Sequence, residues 1–399
     1  MDQPRILHVS AYYPPHMGGQ EVAVQELAAQ LASAGERVAV VTSDIGGRRG
    51  SAVESGIRVT RLKGWEVGRS AVIPGLFWWL IRNARRDTLV HLHFGQVFTP
   101  EIVWLASKII GFKYIFHVHC DPEPSGPLGK LLPIYRKLFS GRELRDAAQV
   151  IVLNDGHRRT VGERSGRYEN VTVMRNGVRS EFFCTPRRPN ESGGDHPSSG
   201  FPMQGAEQVG PNRPMELVFV GRLSPHKNLD CLIKALEVAK TKVTLHVIGD
   251  GECGQALEEA ARAVHTGNVV FHGRLSRDEI MRFYASCDGF VMPSIYEAQG
   301  LALLEAMACG MPAIASNTVA SGELTDCTIA VDPSVEGLAA GIDRLADMPL
   351  SARVDLAERG FRRAEDHEWS RVLDSYINLY SSIYSAGPRS DSRRSGRKH

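Results

Sequence analysis

Two glutamates, Glu297 and Glu305, stand eight residues apart in PSIYEAQGLALLEAMACGMPAIAS (293–316). Gly300 lies between them and precedes an apolar run that predicts a helix from about Leu301 to Cys309. Glu297 then occupies the loop before the helix, and Glu305 sits one turn inside it. The backbone N–H groups of Ala298, Gln299, Gly300 and Leu301 are expected to point out of the helix start. Carboxylates that accept from hydroxyls, beside amides that donate to them, suit a neutral polyhydroxyl ligand. The plainer alternative is a solvated glutamate pair. It loses force because Glu305 is embedded among Leu303, Leu304, Ala306 and Met307.

A second candidate is GRLSPHKN (221–228), where Arg222 and Lys227 lie five residues apart across a turn that ends a strand. A short loop can bring both cations onto one diphosphate, Arg as a planar fork and Lys as a point charge. A third is GDGECG (249–254), which fits the G-x-G-x-x-G pattern of dinucleotide sites. That signal is weak. It follows the second strand of its domain, and the next strand-like run, NVVFHG, ends in His272, Gly273 and Arg274 with no acid to hold a ribose. In a fourth, YYPPHMGGQE (12–21), Gly18 and Gly19 fall where a helix should begin and would let backbone amides approach an anion. A turn that touches nothing is its alternative.

The elements that must position these residues alternate along the chain. RILHVS (5–10), RVAVVTS (37–43), LVHLHF (89–94), KYIFHVH (113–119) and AQVIVLN (148–154) are apolar, strand-like runs. EVAVQELAAQLASAG (21–35) carries Val22, Leu27 and Leu31 on a helical stripe and predicts a helix closed near Gly35. Strands separated by helix-length segments imply βαβ units and a parallel sheet covered on both faces. The alternation stops between residues 186 and 214, a Pro- and Gly-rich stretch without periodicity that predicts a linker. It restarts with MELVFVG, KVTLHVIG, NVVFHG, GFVMPS and PAIAS.

The expected organisation is α/β, with a Rossmann-like domain over 1–185, the linker 186–214 and a second Rossmann-like domain over 215–368. A C-terminal helix over 369–386 and a basic, disordered tail over 387–399 follow.

Composition bounds the function. The chain has 399 residues, enough for two sizeable cores, and its net charge of +2 argues against a nucleic-acid binder. The seven scattered cysteines show no CxxC spacing, so buried thiols in a reducing cytosol are expected rather than a disulfide or zinc framework. The first residues lead straight into Ile6–Ser10, without the apolar run of a secretory leader. The most apolar stretch, Val72 to Ile81 with Trp78 and Trp79, is too short to span a bilayer and reads as a core helix or a surface that touches lipid.

Taken together, these segments carry a resemblance. EAQGLALLE matches the E-x7-E motif of the retaining glycosyltransferases with the GT-B fold, the group sometimes called family 4. GRLSPHKN resembles that family's diphosphate loop, MGGQE its first glycine-rich loop, and RNGV (175–178) its interdomain segment. The matches keep family order across residues 5 to 384.

The resemblance implies the GT-B architecture, two Rossmann-like doubly wound domains facing a cleft. It implies a retaining, metal-independent hexosyltransferase of carbohydrate biosynthesis that moves a sugar from a UDP-, GDP- or ADP-sugar to a hydroxyl acceptor (a glycan, a lipid-linked molecule or a small molecule). Carried over, Arg222 and Lys227 hold the diphosphate, Glu305 the ribose, and Glu297 with the amides of Ala298 to Leu301 the donor sugar. Arg274 and Leu275 lie where the base is held, and Gly18 and Gly19 complete the donor site. His119 matches the histidine beside the reacting carbon. Gln299 departs from the aromatic residue common there, which leaves the hexose open.

The absence of any D-x-D triplet agrees with a site that needs no metal or other cofactor. Asp121 and Glu123, in CDPEPSGPLGK after His119, are acceptor-side candidates. The expected location is the cytoplasm, with peripheral contact to the inner membrane face through Trp78 and Trp79 or the basic tail. The rival readings are an NAD(P)-dependent dehydrogenase built on GDGECG and a non-catalytic carbohydrate-binding protein.

Overall fold

A computed structural model describes residues 5–16, 18–67, 70–119, 141–183, 213–320 and 324–385. Asp121, Glu123 and most of the linker lie outside the described residues, as does the basic tail. The chain forms two compact units, one of Met1–Gly177 with Ser370–His399, the other of Val178–Trp369.

The first unit is built on β1 (Ile6–Ser10), β2 (Val38–Ser43), β3 (Gly50–Glu54) and β4 (Ile57–Leu62), then β5 (Trp65–Val67), β6 (Ser70–Val72) and β7 (Leu89–Phe94). It continues with β8 (Lys113–Val118), β9 (Gln149–Val152) and β10 (Val171–Val173). Its main sheet runs β10-β9-β8-β7-β1-β2-β4-β3. All pairings are parallel except that of β3 with β4. Parallel strands buried on both faces need apolar side chains throughout. β1, β7 and β8 obey this on one face, with Leu7, Val9, Leu92 and Phe116, while His8, His91, His93 and His117 are buried on the other.

The antiparallel hairpin of β3 and β4 was not legible in the alternation. It turns at Ser55 and Gly56, both left-handed (φ +48° and +77°), and its outer strand is mostly exposed. The first helix spans Gly19–Ser33, two residues earlier at each end than its apolar stripe suggested, because Gly18 already serves as its N-cap. Gly35 falls one place beyond the C-cap Ala34, in the left-handed conformation that glycine tolerates best.

The stretch around Trp78 forms the helix Leu76–Asn83. Leu76 and Leu80 are fully buried while Trp78 is 59% exposed, so this helix is core on one side only. Among the described residues no helix is long and apolar enough to cross a membrane.

The second unit carries β11 (Met215–Val220), β12 (Val243–Ile248), β13 (Asn268–Gly273), β14 (Gly289–Met292), β15 (Ala313–Ser316) and β16 (Ile329–Val331). Its sheet is wholly parallel, in the order β13-β12-β11-β14-β15-β16. Chain order reverses between β11 and β14. Open α/β sheets hold ligands at the carboxyl ends of the strands beside such a reversal. The loops that leave those ends are residues 221–228 and 293–300, the two segments singled out for diphosphate and sugar.

The described cysteines Cys231, Cys253, Cys287, Cys309 and Cys327 are thiols outside any disulfide, and of these only Cys327 is buried. The expectation of uniformly buried thiols is corrected accordingly. The other four lie at helix starts, ends or outward faces and are half-covered.

Candidate functional site

The two switch-point loops are tied together. Pro225–Lys227 forms a single 3-10 turn, and Asn228 follows in the left-handed conformation (φ +58°). Its amide donates to the carbonyls of Pro293 (3.2 Å) and Pro333 (2.8 Å). The Ile295 N–H donates to the His226 carbonyl at 2.8 Å.

This scaffold brings Lys227 Nζ onto the Glu297 carboxylate. Both side chains are only 14% and 13% exposed. Ser294 Oγ donates to the same carboxylate oxygen at 2.9 Å. A half-buried ammonium at the open end of a parallel sheet is a ready partner for a phosphate once the carboxylate is drawn to another donor.

Arg222 does not join Lys227. It is about half exposed and faces Glu252 at 3.4 Å, while Arg274 faces Asp250 at 3.3 Å. The structure thus brings Lys227 together with Glu297, and sets Arg222 and Arg274 on separate surface pairs along the neighbouring strand ends.

Gly300 caps the helix Leu301–Ala308 in the left-handed conformation (φ +69°) and accepts from the N–H groups of Leu303 and Leu304. The helix ends one residue earlier than its sequence suggested. Glu305 lies in its second turn. Burial raises its carboxyl to about 7, against the opposing pull of Arg277 and Arg179. Arg277 also donates to Glu181 at 2.7 Å. Burial, with Arg277 close by, lowers Arg179 to about 10. Arg179, Glu181 and Arg277 were missed in the sequence. They come from segments about a hundred residues apart and show no local pattern, although RNGVRSEFF does place Arg179 directly after the RNGV segment.

The glycines of GDGECG have a packing cause. A side chain on Gly249 would overlap the carbonyl of Gly221, and one on Gly251 would overlap that of Leu223. The Leu223 N–H donates to the Asp250 carbonyl and the Cys253 N–H to the Leu223 carbonyl, each at 3.0 Å. These glycines let the two strand-end loops nest, which gives their presence a packing cause. Leu275 is half-buried beyond Arg274.

In the first unit Gly18 is extended (φ −178°), and a side chain there would meet the carboxylate of Glu21. Glu21 is itself held by His16 Nδ1 at 3.0 Å. Gly19 opens the helix with open space where a side chain would be. His119 follows β8, and its N–H donates to the Phe94 carbonyl at 2.9 Å. Its ring is buried, and burial pulls it down to about 3, so it is neutral at physiological pH.

Comparison with known proteins finds family matches in both units. The family "Glycosyl transferase 4-like domain" matches residues 18–177, and "Glycosyl transferases group 1" matches residues 206–363. A GDP-mannose-dependent alpha-(1-6)-phosphatidylinositol dimannoside mannosyltransferase of Mycobacterium tuberculosis is 28% identical over 388 residues, covering 94% of this chain and 95% of its own. A glycogen synthase of the same species is 26% identical over 410 residues, covering 94% of each.

Among solved structures, sucrose-phosphate synthase of Thermosynechococcus elongatus superposes with a TM-score of 0.75 at 20% identity, covering 96% of this chain and all of the other. Anabaena Alr3699/HepE, solved in complex with UDP-glucose, gives a TM-score of 0.70 at 20% identity, covering 94% of this chain and 99% of its own. The fold shared with these structures is GT-B.

Proposed function

Since the chain belongs to the group 1 glycosyl transferases, enzymes that move a sugar from a nucleotide sugar, we propose that the site around Lys227, Glu297 and Glu305 holds a nucleoside-diphosphate hexose. The observation that carries this reading is the Lys227–Glu297 pair at the strand reversal. Donor binding splits the pair. Lys227 turns its charge to the diphosphate, joined there by Arg222, and Glu297 accepts from a sugar hydroxyl. Glu305 accepts from the ribose hydroxyls. The amides of Ala298, Gln299, Gly300 and Leu301 face the sugar, and the backbone at Arg274 and Leu275 meets the base. Gly18 and Gly19 let the first helix start approach the donor.

The transfer retains anomeric configuration. An acceptor hydroxyl attacks the anomeric carbon on the face the diphosphate leaves, the bond to the diphosphate breaks, and the departing phosphate oxygen takes the hydroxyl proton. Glu297, which accepts from the sugar hydroxyl and from Ser294, is not a nucleophile. The cations Lys227 and Arg222 take the place of a divalent ion at the leaving group.

Acceptor contacts come from Asp121 and Glu123. A lipid-linked acceptor at the cytoplasmic face of a membrane agrees with the exposed Trp78 and the neighbouring Arg82. GDP-mannose and UDP-glucose are the first donors to try, a choice supported by the names of a relative and a structural neighbour.

The test is a transfer and hydrolysis panel with GDP-mannose, UDP-glucose, ADP-glucose and NAD(P)H, with and without EDTA. One nucleotide sugar should be consumed, equally in EDTA, with the α-linkage of the donor kept in the product. Turnover of a nicotinamide alone, or inversion, contradicts the reading. The double variant Asp121→Ala with Glu123→Ala should lose transfer while slow donor hydrolysis persists.

A further inference from the structure

Five histidines of the first unit share one face of three adjacent strands. Strand register sets His8 opposite His91, and His93 opposite His117, with His119 two residues further along the same face. Their rings form two rows. In the first, Nε2 of His119 lies 2.9 Å from Nδ1 of His93, and Nε2 of His93 lies 2.8 Å from Nδ1 of His8. Both ring-centre separations are 5.1 Å, as edge-to-edge hydrogen bonding requires. In the second row His91 Nε2 lies 3.1 Å from His117 Nδ1, and His91 Nδ1 lies 2.7 Å from the Tyr380 hydroxyl.

The rows stack on each other. His91 covers His93 at 4.4 Å with planes 7° apart, and His117 covers His119 at 4.1 Å with planes 28° apart. Stacked rings keep their in-plane lone pairs in separate layers. The hydrogen-bonded nitrogens run along the rows, and in each of the trios His8–His91–His93 and His93–His117–His119 one nitrogen per ring also lies within 4.8 Å of the others.

Burial holds all five rings neutral, His8 and His119 at about 3 and the others well below the ordinary value. A neutral imidazole has one N–H. A head-to-tail row of three therefore has two proton arrangements that keep both hydrogen bonds: every ring protonated on Nε2, or every ring on Nδ1. The first leaves an N–H on His8 Nε2, a buried atom with no partner among the described residues. The second leaves only a bare lone pair there. Orphaned buried N–H groups are the rarer and costlier of the two.

We propose that His93 and His8 are positioning residues that lock His119 as the Nδ1–H tautomer, so that it presents a fixed hydrogen-bond donor to the reacting groups rather than a base. The proposal rests on the placement of His119 beside the reacting carbon. It agrees with a transfer in which the departing diphosphate, not a side chain, takes the acceptor's proton. The tautomer of a histidine is set by what its other nitrogen bonds, and here that partner is His93 Nδ1–H, itself oriented by His8 Nδ1–H.

The test is nitrogen NMR of the full chain labelled with 15N-histidine, the His119 signals being identified by their loss in His119→Gln. Wild type should show a protonated Nδ1 and a bare Nε2 at His119. His93→Phe removes the donor and should release His119 from that tautomer. It should also lower kcat roughly 10- to 100-fold with donor KM little changed. His93→Asn, whose amide N–H can replace the Nδ1–H, should restore both. An Nε2–H His119 in wild type, or an unchanged tautomer in His93→Phe, overturns the proposal. The expected spectra together with full turnover in His119→Ala would instead overturn the placement of His119 at the reacting carbon and leave the tautomer lock standing.

Discussion

Lys227 and Glu297, seventy positions apart in the chain, close on each other through an ammonium–carboxylate hydrogen bond. Their meeting follows from strand order. β11 and β14 are neighbours although β12 and β13 intervene in sequence, so the loops after them share one edge. An acid and a base that satisfy each other when the site is empty keep either charge from standing alone in a half-buried place, where an unpaired charge is costly.

Glu305 gives the site a pH signature. Its carboxyl is raised to about 7 by burial, so a substantial fraction is protonated at neutral pH. A protonated acid is a poorer acceptor for two ribose hydroxyls. Donor affinity should therefore rise as pH increases through 7, approaching a plateau above 8 and falling by at most about tenfold per unit below 7. Glu305→Gln should weaken binding and flatten the profile. Calorimetric donor titrations from pH 6 to 8.5 check this; an unchanged slope in the variant would remove Glu305 from the ribose.

The nested loops predict a cost for small changes. Gly249 has φ +137°, and a methyl group there would overlap the Gly221 carbonyl. Gly249→Ala should destabilise the protein by at least about 1–3 kcal/mol from backbone strain and weaken donor binding by displacing residues 221–228. Denaturant unfolding and donor titration measure the two effects. A variant as stable as wild type would mean that these loops do not nest.

The histidine rows set an acid limit. Each of the five rings has a folded value below the unfolded 6.5. Below pH 6.5 the unfolded chain therefore binds more protons, and the stability present above that pH is lost as pH falls. Each ring removes up to about 1.4 kcal/mol per pH unit. Near-ultraviolet circular dichroism should show the first unit losing its packing between pH 6 and 4. Unchanged packing at pH 4 would contradict a neutral buried network.

The strands and the strand-to-helix turns of the candidate site were legible in the sequence because parallel strands leave long apolar runs and the turns between strand and helix are short. What approaches each turn was not legible. GDGECG has the spacing of a dinucleotide loop, yet Gly249 and Gly251 serve the neighbouring loop at Gly221 and Leu223. Arg179 and Arg277 reach Glu305 from distant segments with no shared period. LVHLHF and KYIFHVH announced strands, but the rows joining His8, His93 and His119 exist only because β8, β7 and β1 lie side by side.

The most direct test of the donor site is titration of GDP and UDP into wild type and Lys227→Ala, with NAD(H) as a control. A charge-assisted contact of about 1.5–3 kcal/mol predicts that the favoured diphosphate binds wild type and loses roughly 10- to 100-fold in affinity in the variant, with NAD(H) binding neither. Diphosphate affinity unchanged by Lys227→Ala, or NAD(H) binding in place of a diphosphate, would contradict the account.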